Sequence, residues 1–374
     1  MTSRSESPNA NRPLGYLRLP DMLEDWPWQR KINPLYEEVA AEGDAWLRSF
    51  LPFNPQSQYA FERCQFGLCA ALLVPEAPRD QLRTCVDLLN IFFLIDEYTD
   101  VEPASRVGEI IEACNDALHH PSRPRPDGEV ILGEVIRQFW ERGQRTATSS
   151  GGKHFVASFT DYLNSVVKEG EARDRGVILT RDAYLAICLE NVGVRSLYAM
   201  GELLLSIPDH LYEHPLLARM TRLGCEIITI NNDVVSYNRE QATGVGGFNI
   251  VTITMHHDGL TLDDAIRSLV KRNLELEGQY VQCLREFCSF LGGPGRAEKT
   301  SDSEIRRYLE HMGNVRRGVW CWSFECGRYF GERGSVYAKT QLVPLIAKRI
   351  GDRYRRLRGN QVDILLMETE LAKL

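Results

Sequence analysis

The sequence predicts an all-α fold in a single large domain, on three observations. Apolar residues recur at helical spacing along most of the 374 residues, while period-2 alternation with β-branched enrichment is scarce. Turn signals divide the helical stretches: Pro75-Glu76-Ala77-Pro78, the Pro-rich run 121–128, Ser149-Ser150-Gly151-Gly152 and Gly292-Gly293-Pro294-Gly295. No Gly-x-Gly-x-x-Gly turn, Walker-type loop or strand–helix alternation supports a doubly wound sheet.

In chain order, the periodicity predicts helices over 34–50, 58–73, 78–96, 105–117, 128–146, 152–170, 180–206, 213–240, 246–254, 261–291, 302–330 and 342–357. Ile227-Ile228-Thr229-Ile230 is β-rich but lies inside one of these patterns, so it reads as helix. Asp80, Thr261 and Ser301 are expected N-caps, and Ser301 has Glu304 at capping-box spacing. The expected organisation is a peripheral or disordered segment over 1–15, one domain over 16–335, and a peripheral tail over 336–374. That tail carries the basic stretch Gly351-Asp352-Arg353-Tyr354-Arg355-Arg356, expected to be solvated.

Composition narrows the function. A hydrophobic fraction of 43% and a charged fraction of 25% suit a globular protein with a sizeable core. A net charge of −7 without a long basic run argues against a nucleic-acid partner. The polar N-terminus lacks an apolar signal core and no run reaches membrane-span length, so a cytoplasmic protein is expected. Ten cysteines include no C-x-x-C pair and mostly sit in apolar helical contexts, as buried thiols do.

Two polar clusters carry the chemistry. Asp96-Glu97-Tyr98-Thr99-Asp100 ends the apolar run Ile91–Ile95. Asp96 and Asp100 are i and i+4, and Phe92 and Leu89 continue their helix face backwards, so the stripe is apolar at depth and anionic at the rim. Taken alone, an exposed acidic helix end is the plainer reading of this cluster. Farther on, Asn232, Ser236 and Glu240 are i, i+4 and i+8, one line of amide, hydroxyl and carboxylate oxygens, with Arg239 adjoining. A buried polar network or an exposed helix end is the plainer alternative there. Hard oxygen donors without sulfur or imidazole favour Mg²⁺, Mn²⁺ or Ca²⁺. Because Mg²⁺ shares its shell with water and phosphate oxygens, two such half-sites imply a metal-clamped diphosphate.

D-[DE]-x-x-D on one helix and N-D-x-x-S-x-x-[RK]-E on another downstream resemble the class I terpene cyclases, in particular fungal sesquiterpene synthases of the basidiomycete type. Trp28-Gln29-Arg30-Lys31-Ile32-Asn33-Pro34 is similar to an early segment of that family, and Trp322 to Phe330, W-S-F-E-C-G-R-Y-F, to a late one. The resemblance runs from about residue 16 to 335. It implies an α-helical barrel around a central apolar cavity, holding three Mg²⁺ ions, with Mn²⁺ an alternative. Asp96 is then the main ligand of the first motif, with Asp100 or Glu97 supporting it. Asn232, Ser236 and Glu240 are the ligands of the second motif. Arg239, Arg328 and Tyr329 are expected to hold the diphosphate.

One segment departs from the family. Where the pattern Y-x-x-x-R-R-x-T-x-G carries a diphosphate-sensing arginine, Tyr184 to Gly193 places Cys188 and Leu189. Arg195, two helical turns past Cys188, and Arg181 are the candidate stand-ins; otherwise the charge rests on Arg239 and Arg328.

The implied reaction is ionisation of a prenyl diphosphate, farnesyl diphosphate by resemblance, followed by cyclisation in a water-poor cavity. Phe92, Phe66, Trp320 and Trp322 are candidate aromatic faces for the cation, with core packing the plainer role for each. Two rivals stand beside this reading. A chain-elongating prenyltransferase would carry a second D-D-x-x-D in place of N-D-x-x-S-x-x-R-E, and a helical protein could bind the diphosphate without turning it over. The expected assembly is a monomer or homodimer.

Overall fold

The computed structural model describes residues 15–100, 102–292, 300–348, 364 and 366–372. Its first elements are a short strand β1 (Tyr16–Arg18) and the helices α1 (Tyr36–Arg48), α2 (Pro55–Glu62), α3 (Phe66–Leu73), α4 (Arg79–Thr99), α5 (Ala104–His119), α6 (Ile131–Gly143) and α7 (Ser149–Asp174). Next come α8 (Arg181–Asn191), α9 (Val194–Glu202), α10 (Asp209–Tyr212), α11 (Pro215–Thr243), α12 (Ile250–Asp258) and α13 (Leu262–Leu291). The chain closes with α14 (Thr300–Glu325), α15 (Gly327–Phe330), α16 (Gly334–Thr340), a second strand β2 (Leu342–Pro344) and α17 (Met367–Leu371). The result is an α-helical barrel. α11 packs on α13, α3 on both α4 and α14, and α7 on α5, α8 and α9.

Local chemistry sets several helix ends. Thr148, Thr180 and Thr261 each cap a helix by accepting the backbone N–H three residues on. Asp80 does not cap α4: Pro78, its φ fixed at −66°, holds that position, and Asp80 lies in the first turn, where its charge suits the helix dipole. The side chain of Ser301, within α14, lies outside the described residues, as does the basic stretch 351–356.

Three expected helices are interrupted. The pattern over 180–206 breaks at Gly193, whose φ of +70° is left-handed; a Cβ there would stand 3.0 Å from the Phe92 ring. The helix expected over 58–73 divides at Gln65, φ +50°, and the one over 302–330 divides at Cys326. These two breaks hold each other. Trp322 Nε1 donates to the Cys64 carbonyl (2.7 Å) and the Gly327 amide donates to the Arg63 carbonyl (2.8 Å). Tertiary partners thus take backbone groups that a continuous helix would use internally.

The helix expected over 342–357 is absent where it is described. Residues 342–344 instead pair antiparallel with β1, with Leu17 opposite Val343 and both fully buried. This ribbon is fastened to α11. Asn238 donates to the Pro344 carbonyl (2.9 Å) and accepts the Ile346 amide (3.0 Å), while Gln241 donates to the Ile346 carbonyl (2.7 Å). All ten cysteines are free thiols, eight of them buried. Among the described residues, no helix is long and apolar enough to cross a membrane.

Candidate active site

α4 and α11 each carry an apolar stretch that turns acidic toward its C-terminal end, and both line one cavity. From α4 come Leu89, Phe92, Phe93 and Asp96, with Asp100 at its cap; from α11 come Ile228, Thr229, Asn232, Ser236, Arg239 and Glu240. α15 adds Arg328 and Tyr329, and α14 adds Val319 and Trp322. The wall is completed by α7, with Tyr162, Glu169 and Arg173, and by α8, with Tyr184, Cys188 and Asn191. The lining is therefore apolar along the earlier turns of both helices and charged at their ends. The two clusters, 136 residues apart in sequence, share this charged region.

The second cluster is braced from behind. Asp233, to which the sequence pattern assigns nothing, also lines the cavity, but its carboxylate is already engaged: it accepts the Tyr184 hydroxyl (2.6 Å) and the Ile250 amide (2.6 Å). Asn249 donates both to the Asp233 carbonyl (2.9 Å) and to Glu240 Oε2 (2.9 Å), tying the turn after α11 back onto the motif. Asn232 donates its amide N–H to the Tyr329 hydroxyl (3.2 Å), so its carbonyl oxygen is the amide's available ligand atom. That arrangement, with a hydroxyl and a carboxylate on the same helix line, fits a hard divalent cation. Asp96 and Asp100 offer the matching donors on α4. Among the described residues, no three Asp, Glu, His or Cys side chains converge on one point.

Carboxylates outnumber cations here: Asp96, Asp100, Glu169, Asp233 and Glu240 line the cavity against Arg173, Arg239 and Arg328. Burial, then the neighbouring Asp100, holds the Asp96 carboxyl well above the usual carboxylate range. Burial, then Glu240, does the same to Asp233. Burial and Glu169 push Asp100 up to about 7. Glu97 stands between two arginines, accepting Arg239 Nη2 (3.1 Å) and Arg328 Nη1 (3.3 Å). It therefore bridges the α11 and α15 sides of the site. The Arg328 guanidinium lies 4.3 Å from the Phe93 ring centroid, a cation–π contact.

The other sequence candidates divide. Phe92 and Trp322 line the cavity; Phe66 lies behind Phe93, stacked on it at 4.1 Å and 15°, and Trp320 packs edge-on against Phe324. Arg195 is not among the lining residues: it pairs with Asp161 (3.0 Å) and Glu190, and its side chain is 35% exposed. Arg181 pairs with Asp258 at 2.7 Å, also away from the cavity. Sequence reasoning missed Glu169 and Arg173. They are an i, i+4 pair in a run of alternating charges, which looks like any solvated helix end; only the packing of α7 reveals them.

Comparison with known proteins identifies the family. The family description "Terpene synthase family 2, C-terminal metal binding" matches residues 87–276, the span that holds both clusters. Sesquiterpene synthase 14 of Postia placenta is 44% identical over 330 residues, covering 88% of this chain and 92% of that protein. Delta(6)-protoilludene synthase 8 of the same fungus is 42% identical over 336 residues, covering 90% and 96%. In fold, the chain is similar to the linalool/nerolidol synthase of Streptomyces clavuligerus, crystallised with 2-fluorogeranyl diphosphate. That match has a TM-score of 0.69 at 21% identity, over 81% of this chain and 99% of that one. The chain belongs to the class I terpene synthase family, among the fungal sesquiterpene synthases, and is a terpene cyclase.

Proposed function

We propose that this cyclase is Mg²⁺-dependent, ionises farnesyl diphosphate and closes the resulting cation to a sesquiterpene hydrocarbon or alcohol, with release of diphosphate. The observation that carries the reading is the meeting of the α4 and α11 clusters over an apolar cavity, with arginines between them. Asp96 and Asp100 would hold metal on one side, and Asn232, Ser236 and Glu240 on the other. Bound there, divalent cations supply Lewis-acid and electrostatic stabilisation of the departing diphosphate.

The chain's own groups do the rest. Arg239 and Arg328 are poised by Glu97 as charge-assisted donors to phosphate oxygens, and the Tyr329 hydroxyl stands beside Asn232. Leu89, Leu197 and Ile228 line the apolar part, which excludes water from the cation. The faces of Phe92, Phe93, Tyr162 and Trp322 offer cation–π stabilisation of about 2 kcal/mol each when desolvated. No general base is needed to start, since the leaving group departs with its electron pair.

The test is product analysis by gas chromatography after incubation with geranyl, farnesyl and geranylgeranyl diphosphates and Mg²⁺. A cyclic product from farnesyl diphosphate is expected. No terpene from farnesyl diphosphate, or a longer chain when isopentenyl diphosphate is added, overturns the proposal.

A further inference from the structure

Of the three arginines lining the cavity, Arg239 and Arg328 both reach Glu97, and Arg173 is the one that reaches Thr99 and Asp100 at the very end of α4. Its Nη2 donates to the Thr99 carbonyl (2.8 Å), and its Nη1 lies 3.0 Å from Glu169 and 3.5 Å from Asp100. Asn191, on α8, donates to the other oxygen of Glu169 (3.0 Å). This chain of contacts ties the first acidic cluster to the helix bearing Cys188, the neutral residue on the neighbouring stretch of wall.

The two candidate stand-ins, on α8 and α9, are committed elsewhere. Arg195 and Arg181 sit in ion pairs outside the cavity. Arg173 is the reverse case: 18% exposed, it stands beside more carboxylate than it can neutralise. A guanidinium between two acids loses little when a phosphate oxygen replaces one of them, because its planar fork donates to either partner.

We propose that Arg173 is a diphosphate-binding residue of this cyclase, held by Glu169 and Thr99 until substrate arrives and supplying from α7 the positive charge that α8 lacks at Cys188. The inference rests on the diphosphate reading above.

The test measures the affinity of the full chain for inorganic pyrophosphate with Mg²⁺, by calorimetry, alongside turnover of farnesyl diphosphate and the ligand-free melting temperature. Arg173→Gln is expected to weaken pyrophosphate binding about ten-fold, the loss of one charge-assisted contact. Adding Cys188→Arg to Arg173→Gln is expected to bring the affinity back to within about three-fold of the unmodified protein, since the charge returns to the same cavity. Unchanged affinity in Arg173→Gln, or no recovery in a double variant that melts like its parent, overturns the proposal, because a structural arginine would not be replaced from another helix. Should Arg173→Gln fail to fold, Cys188→Arg alone decides. A gain of about ten-fold means the charge was still missing and refutes the assignment, whereas affinity within about two-fold of the unmodified protein supports it. The two readings fail separately: a protein that binds pyrophosphate with Mg²⁺ but makes no terpene sinks the cyclisation of farnesyl diphosphate and leaves Arg173 standing.

Discussion

Asn231 and Asn232 are neighbours on α11, yet they serve two polar networks of opposite character. Asn231 belongs to a closed ring behind the helix. It accepts Arg316 Nε (3.3 Å) and donates to Asn273 (2.9 Å); Asn273 donates to Glu277, and Glu277 accepts Arg316. One cation meets one carboxylate, and Arg316 also donates to the Met22 carbonyl (2.6 Å) and lies 4.3 Å from the Trp26 ring centroid, fixing the N-terminal segment. Asn232 faces the cavity, where five carboxylates meet three arginines. The first network is matched within the protein and stabilises it. The second holds more carboxylates than arginines among its lining residues. The difference teaches that polarity alone does not mark a functional site; an unmatched sum of buried charge does.

The largest effect expected from breaking this contrast is on turnover. Asp96→Asn should lower kcat about 10³-fold or more, roughly 4 kcal/mol of lost transition-state stabilisation, while the melting temperature holds or rises because its repulsion with Asp100 has gone. A melting temperature that falls with activity would place Asp96 in the structural class. Next, Arg316→Met should cost about 3 kcal/mol by stranding Glu277, read as a lower urea midpoint with an unchanged slope. A neutral result would mean the ring contributes specificity more than stability.

A smaller effect follows from Asp100. Its folded-state value of about 7 lies above the ordinary 3.8, so between those values the folded protein keeps a proton that the unfolded chain has lost. Metal-free protein should therefore lose stability as pH rises through that window. Asp100→Asn should flatten the slope, and Mg²⁺, which favours the ionised form, should reduce it. Equal slopes for the two proteins would refute this. The smallest change belongs to Asn238→Ala, at about 1–2 kcal/mol, from the loss of two hydrogen bonds to the ribbon. Its urea midpoint should fall while its affinity for pyrophosphate stays near that of the unmodified chain.

Much of this was legible in the sequence because α4 and α11 write their faces in helical spacing. Leu89, Phe92, Asp96 and Asp100 read as one stripe, and Asn232, Ser236 and Glu240 as another, and all line the cavity. What could not be read came from neighbours distant in sequence. Gln65 carries no mark of a helix break, since the break depends on Trp322 and Gly327 claiming the carbonyls beside it. Residues 342–346 have helical periodicity but also a Val343 that fits opposite Leu17, and the partner strand, more than 320 residues away, decided between them. Glu169 and Arg173 carry a surface-like pattern that only helix packing turns inward.

The ribbon of β1 and β2 has a mechanical meaning. Tyr16 pairs with Pro344 and Arg18 with Leu342, so the outward-leading ends of both strands leave from the same side. Tension applied at the two ends, once α17 has been peeled away, would load these pairs one after another, as a zipper is opened, instead of all at once in shear. The seam that this loading opens runs beside α11, and its opening would release the fastening at Asn238 while the helices around the cavity still stand.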